Sequence, residues 1–170
     1  MVAGEDRWNR GYHTAAHAAH RLILEQHTEL RRLLALGLVQ TCLPSRDRRS
    51  APAVLPALVE RIKRAFVEHL ADEEAALLPL FGEDLDGPRR VQLVREQHGR
   101  QRREMEALQA LSMSESDDPF AEEFDRLARA LLVDMAEEER ALALAVALLD
   151  ERTARHRVGA QRPGVEGSRH

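Results

Sequence analysis

A histidine and a glutamate four residues apart are the pair in this chain whose possible chemistry is easiest to recognise. His69 and Glu73 belong to one segment with helical apolar periodicity. A four-residue spacing places two side chains on one face of an α-helix, one turn apart, where an imidazole and a carboxylate can bind one metal ion. Asp134 and Glu138 repeat the spacing with two carboxylates. The two pairs predict helices that contribute metal ligands.

Two histidines extend this set from other segments. At about 1.5 Å of rise per residue, Glu73, His98 and Asp134 lie at nearly equal depth when counted from the predicted turns. His27 matches this level less tightly. One polar residue in an apolar stripe is usually a hydrogen-bonded core residue, but several at one level indicate a cation, because an unpaired buried carboxylate is costly. The predicted ligands of a dinuclear site are His27, His69, Glu73, His98, Asp134 and Glu138.

Apolar periodicity predicts four helices to carry these ligands. Short connections make consecutive helices antiparallel neighbours, so the predicted fold is all-α, an up-down-up-down four-helix bundle over residues 1–151. Residues 1–12 are a candidate irregular arm, and residues 152–170 are predicted to be a flexible basic tail. The helices are expected from Trp8 or Thr14 to Leu38, from Pro52 or Pro56 past Leu77, from Val91 past Leu108, and from Phe120 past Leu148.

Bulk composition limits the class of protein. A chain of 170 residues can bury one core, and its 4% aromatic content with abundant Ala, Leu, Arg and Glu favours helix over sheet. The net charge of -4 indicates neither a nucleic-acid nor a membrane partner. Cys42 is the only cysteine, so no intramolecular disulfide can form, and a cytoplasmic protein is expected.

The order of four short motifs resembles the hemerythrin-like, or HHE cation-binding, family over about residues 20–150. The resemblance implies a non-haem di-iron centre with iron ligation by the three histidines and by Glu73 and Glu138, the two glutamates bridging. The motifs that carry it are Glu25-Gln26-His27 with Leu30, His69-x-x-x-Glu73-Glu74 with Leu77-Leu78-Pro79, Arg95-Glu96-Gln97-His98, and Asp134-x-x-x-Glu138-Glu139.

Two positions depart from the family pattern. Family members usually have histidine where Asp134 stands, and many have a ligand where Arg102 stands. Three histidines and three carboxylates favour ferric iron and resemble di-iron oxidases and oxygenases more than reversible oxygen carriers. Two irons are expected, and one iron is the alternative if Asp134 is only an outer partner. Arg102 is expected to be solvated or salt-bridged, or to pair with Asp134 or an anionic substrate if it faces the site.

Further polar residues lie along the same helices. His13, His17 and His20 precede His27 on one helix face, and Tyr12 lies next to His13 in the sequence. They form either a polar lining at the open end of the bundle or a substrate channel or proton relay, with Tyr12 and His20 as candidate catalytic residues beside Arg102. Tyr12, His13 and His17 could alternatively bind a divalent ion at the surface. Four glutamates next to the ligands are expected mostly to face solvent, Glu68 being an alternative ligand: Glu68, Glu74, Glu137 and Glu139.

These features predict a protein that binds or activates dioxygen or a related small oxidant, such as peroxide or nitric oxide, with a small organic molecule as a candidate substrate. Whether it turns over a substrate as an oxidase or oxygenase stays open at this stage. The alternatives are a module that senses oxygen, nitric oxide or iron without turnover, and a structural or zinc-stabilised bundle. The sequence does not define the oligomeric state.

Overall fold

Four long helices make up the structure, a computed structural model that describes residues 2–43, 54–81, 87–113 and 117–160. No strand occurs in these ranges, and the predicted all-α class is confirmed. In chain order the helices are α1 (Val2–Cys42), α2 (Val54–Phe81), α3 (Gly87–Ser112) and α4 (Asp117–Ala160).

Contacts between side chains show that neighbouring helices run antiparallel. Along α1, Gln26 reaches Asp72 of α2, whereas Glu29, further along, binds Arg61, earlier in α2. Residues of α3 and α4 likewise meet α2 and α1 in reverse order. Each helix packs on its chain neighbours, and α4 returns to pack on α1. The result is an up-down-up-down bundle, as predicted.

The apolar core fills one half of this bundle. It lies between the C-terminal halves of α1 and α3 and the N-terminal halves of α2 and α4. Gly37 is buried there beneath the ring of Phe124, so α1 and α4 approach closely. The core members are Leu30, Leu33, Leu34, Val59, Ile62, Phe66, Leu70, Met105, Leu108, Phe120, Phe124, Leu127, Ala128, Leu131 and Met135.

The outer two helices extend further than the sequence indicated. α1 begins at Val2, within the segment 1–12 that was a candidate irregular arm. α4 continues to Ala160, which corrects the tail predicted from residue 152, while residues 161–170 lie outside the described ranges. Pairs one turn apart, such as Arg155 with Glu151, support the added turns of α4. None of the described helices is long and apolar enough to span a membrane.

Candidate metal centre

Three buried histidines and two glutamates meet at the level where the apolar core ends. His27 Nε2 lies 3.2 Å from Glu138 Oε2, and His69 Nε2 lies 3.8 Å from the same oxygen. Glu73 Oε2 lies 3.7 Å from His69 Nε2 and 3.4 Å from His98 Nε2. Five ligand-type atoms from four helices therefore converge, as expected from the helical spacing of these residues.

Two of these histidines are oriented through Nδ1, each by a glutamate that also binds an arginine. His27 donates through Nδ1 to Glu139 Oε1 at 2.9 Å, and Arg31, one turn further along α1, donates to the same oxygen at 2.7 Å. Since a carboxylate only accepts, Nδ1 carries a proton, and Nε2 faces the centre, where the neutral imidazole can offer its lone pair to a cation.

The same arrangement recurs on the opposite side of the bundle. His98 donates through Nδ1 to Glu74 Oε1 at 2.9 Å, and Arg102 donates to that oxygen at 2.8 Å. In each case the accepting glutamate directly follows one of the two glutamates at the centre. Of two glutamates adjacent in the sequence, the first thus faces the centre and the second orients a histidine of a neighbouring helix.

The third histidine is oriented by an amide. His69 Nδ1 lies 3.3 Å from Gln26 Oε1, and Gln26 donates through Nε2 to Asp72 Oδ2 at 2.6 Å. Asp72 fixes which end of the amide faces the ring, so the Gln26 carbonyl accepts from His69 Nδ1. His69 Nε2 is therefore also left as a lone pair toward the centre.

Protonation at the centre reflects crowding of these groups. Burial lowers the pKa of His69 to about 4, with the positive charge of His27 adding to the effect. Burial also disfavours the charged form of His27, but the carboxylates of Glu138 and Glu139 outweigh it and raise the pKa of His27. Burial raises the pKa of Glu138, and the negative charge of Glu73 adds to this. A cation at the centre would relieve these opposing shifts.

Unpaired polar atoms provide the test of whether a cation fits. In the described ranges, the buried atoms without a hydrogen-bond partner are His27 Nε2, Glu73 Oε2, Glu138 Oε2 and Gln101 Oε1. Buried groups of this kind are normally paired, because leaving them unpaired costs about 1–3 kcal/mol each. Three of the four belong to the converging cluster. The donor set fits a metal ion, and His27, His69 and Glu138 alone offer atoms within 4.8 Å of one another.

Asp134 and Gln101 form a polar pair beside the centre. Gln101 donates through Nε2 to Asp134 Oδ2 at 2.9 Å. Gln101 follows His98 by three residues and Asp134 precedes Glu138 by four, so both lie one helical turn toward the apolar core. Gln101 is buried, and it was not among the candidates from the sequence.

Several expectations about flanking residues are corrected. The four flanking glutamates were expected mostly to face solvent; two of them do, but Glu74 and Glu139 are part-buried and each accepts from a histidine and an arginine. Arg102 forms the expected salt bridge, with Glu74 as its partner. Asp134, the alternative partner of Arg102, is instead bound by Gln101.

The residues that orient His27 and His98 share a signal in the sequence. Gln-His-x-x-x-Arg occurs twice, starting at Gln26 and at Gln97, and each ligand-type glutamate is followed by a second glutamate. That repetition marks the two matched histidine supports.

The candidates near the start of the chain lie away from the centre. Tyr12 belongs to α1, but its side chain lies outside the described part of the structure. His20 is half-buried, seven residues before His27, or about 10 Å along the helix axis. His13 and His17 bind Asp150 of α4. Glu68, the alternative ligand, is exposed.

An antiparallel helical bundle with histidines and carboxylates buried at one level defines the class of metal-binding four-helix proteins. A family model described as the hemerythrin HHE cation binding domain matches residues 18–146. The chain therefore belongs to the hemerythrin HHE family of cation-binding helical proteins, as the motifs predicted. Searches of curated proteins and of solved structures found no match.

Proposed function

We propose that this chain is a non-haem iron protein whose centre holds two irons and reacts with dioxygen or a related small oxidant. His27, His69, Glu73, His98 and Glu138 would hold the irons, together with Asp134. The observation that supports this most directly is the fixed orientation of the three imidazoles, each held at Nδ1 with Nε2 toward unpaired carboxylate oxygens. A centre preorganised in this way suits ion binding.

The balance of ligands favours oxidase-like or oxygenase-like chemistry over reversible oxygen carriage. Three imidazoles and three carboxylates, with the amide oxygen of Gln101 nearby, form an oxygen-rich environment that stabilises the higher charge of ferric iron. When bound, iron would supply the electrons for reducing the oxidant. The protein's own groups orient the ligands, and the apolar core on one side excludes water from that side.

Access to the centre is uneven. The Glu138 side chain is 22% exposed, whereas that of Glu73 is 6% exposed. A small oxidant, and a small organic substrate if one is used, would therefore reach the centre from the side of Glu138. Arg31 forms a salt bridge with Glu139, and Arg102 forms one with Glu74. These arginines neutralise the two carboxylates without occupying the centre.

Metal content after anaerobic loading tests the proposal. Protein purified without oxygen is loaded with Fe(II), dialysed and analysed by mass spectrometry for metals, and its absorption spectrum is then followed on exposure to air. About two irons per chain, with new charge-transfer bands after exposure, are expected of a di-iron centre in a bundle. Consumption of oxygen in repeated cycles with excess reductant or substrate would distinguish turnover from sensing.

Other results would favour the alternatives. About one iron per chain would mean that the half with Asp134 does not bind iron. Zinc bound in preference to iron, with no spectral change in air, would contradict the proposal and favour a zinc-stabilised bundle.

A further inference from the structure

A second group of potential metal ligands lies between α1 and α4, away from the centre. His13 Nε2 and His17 Nε2 lie 2.5 Å and 3.0 Å from the same oxygen, Asp150 Oδ1. The two imidazole rings have centroids 4.5 Å apart. We call His13, His17 and Asp150 the distal cluster.

The distal cluster is separate from the bundle centre. His17 precedes His27 by ten residues, or about 15 Å along α1, and Asp150 follows Glu138 by twelve, or about 18 Å along α4. Both displacements point away from the apolar core, along the parts of α1 and α4 that extend beyond the centre. No ion bound at the centre could also be ligated here.

The residue types match a transition-metal site. Two histidines one turn apart on a helix form a chelating pair, and a carboxylate from a second helix supplies a third ligand. The ligand atoms all lie within 4.8 Å of one another. Atoms that share a tetrahedral zinc ion at about 2.0 Å are about 3.3 Å apart, so small side-chain rotations would admit the ion. Two imidazole nitrogens favour Zn²⁺ or a similar ion over Ca²⁺ or Mg²⁺.

Exposure and charge are compatible with such a site. His13 and His17 are half-buried and Asp150 is exposed, so water can occupy a fourth coordination position. Hydrogen bonds from His17 and His13 lower the pKa of Asp150, which keeps this carboxylate ionised and available as a ligand.

We propose that the distal cluster is a mononuclear site for Zn²⁺ or a similar divalent transition-metal ion, which links α1 to α4 beyond the bundle centre. The site does not depend on iron at the centre or on any reaction there. Its three protein ligands come from two helices, so a bound ion would also stabilise the packing of these helices.

Zinc binding to the full-length chain, stripped of metal, tests this proposal. Equilibrium dialysis against Zn²⁺ alone compares the unmodified chain with the double variant His13→Ala/His17→Ala. The double variant should bind about one zinc fewer per chain, as expected for loss of one mononuclear site. His20→Ala removes a half-buried histidine of the same helix that lies outside the cluster, and it should bind as much zinc as the unmodified chain.

Two further variants separate the cluster from the centre. In a His69→Ala background, which weakens the centre, the remaining zinc should be lost on adding His13→Ala/His17→Ala. Asp150→Asn should lower the affinity for this remaining zinc at least about tenfold. That is the lower end of the loss seen when even an outer partner of a metal ligand is removed.

Equal zinc content in the double variant and the unmodified chain would overturn the proposal and leave Asp150 as an acceptor of ordinary hydrogen bonds. Unchanged affinity in Asp150→Asn would overturn the three-ligand site, since the histidines would then bind zinc alone. Circular dichroism of every variant should show the helical content of the unmodified chain; the substituted positions outside the centre are half-buried or exposed.

Discussion

His98 Nδ1 lies 2.9 Å from an oxygen of Glu74, the residue that directly follows Glu73 in the sequence. Glu73 faces the centre and Glu74 reaches sideways to a histidine of the next helix. The hydrogen bond directs His98 Nε2 toward the centre, and it makes Glu74 a positioning residue although it does not face the metal position. His27 and Glu139 repeat this relationship between α1 and α4.

Glu74→Gln should therefore weaken iron binding without removing a ligand. The amide still reaches His98, but it is uncharged and can present its NH₂ group to the ring, so the favoured tautomer of His98 is lost. Loss of such an outer partner typically costs about 10–100-fold in metal affinity. Competition with a chromophoric Fe(II) chelator measures the change.

Glu137→Gln provides the matched control for Glu74→Gln. Glu137, like Glu74, is next to a ligand-type glutamate in the sequence, since it directly precedes Glu138, but its side chain is exposed. Its substitution should leave iron affinity unchanged. If both variants bound iron as tightly as the unmodified chain, the hydrogen bond from His98 to Glu74 would have no role in ion binding.

His69→Ala should remove the gain in thermal stability that iron provides. Metal present at about 100 times its dissociation constant adds about 2.7 kcal/mol, or about 5–10 °C in Tm for a chain of this length. The variant loses one of the buried nitrogens at the centre, so its Tm should respond little to Fe(II). Differential scanning calorimetry with and without Fe(II) measures both values.

Glu68→Ala alters the exposed residue next to His69 and should keep the full response to Fe(II). An undiminished iron-dependent rise in Tm for His69→Ala would show that His69 is not a ligand.

The fold was largely accessible from the sequence, because apolar periodicity and turn residues identify helices and their order. The ends of the outer helices were not. α1 and α4 extend to Val2 and Ala160, and along these extensions His13 and His17 of α1 contact Asp150 of α4. Such support comes from another helix, so it is not visible in the local pattern of either segment.

The candidate centre was accessible in part for a similar reason. Four-residue spacing identifies which side chains share a helix face, and the structure brings His69 and Glu73 within 3.7 Å. Contacts across the bundle depend on how each helix is rotated about its axis. Glu74 and Gln101 lie next to and three residues from ligand-type positions, about 100° and 60° away around the helix, and the sequence alone does not fix which neighbour they meet.

Gln101→Leu should selectively weaken the binding of the iron that Asp134 would help to hold. Gln101 is a hydrogen-bond donor to Asp134, and its buried carbonyl oxygen has no partner among the described residues. Leucine leaves Asp134 without this support and removes the adjacent oxygen. Iron content at limiting Fe(II) should fall from about two per chain toward one, given a loss of about 10–100-fold in affinity at one position.

Gln109→Leu is the control for Gln101→Leu, because it changes the same residue type two turns further along α3. Gln109 binds Lys63 and Glu60 of α2, distant from the centre, and iron content should stay at the level of the unmodified chain. Two irons retained in Gln101→Leu would mean that Asp134 needs no support from this amide, or does not bind iron.

Gly37→Ala should destabilise the bundle although alanine is the better helix former. A Cβ atom at Gly37 would lie 2.0 Å from Cζ of Phe124, so α1 and α4 would have to separate or the ring would have to move. Overpacking of this kind costs about 1–3 kcal/mol, which exceeds the gain of about 1 kcal/mol in helix propensity.

At Gly99 the nearest atom would be an Arg103 nitrogen at 3.6 Å, an ordinary contact, so Gly99→Ala should stabilise the chain by up to about 1 kcal/mol. Urea unfolding of the metal-free proteins should shift the two midpoints in opposite directions, and a rise in both would show that Phe124 has room to move away from α1.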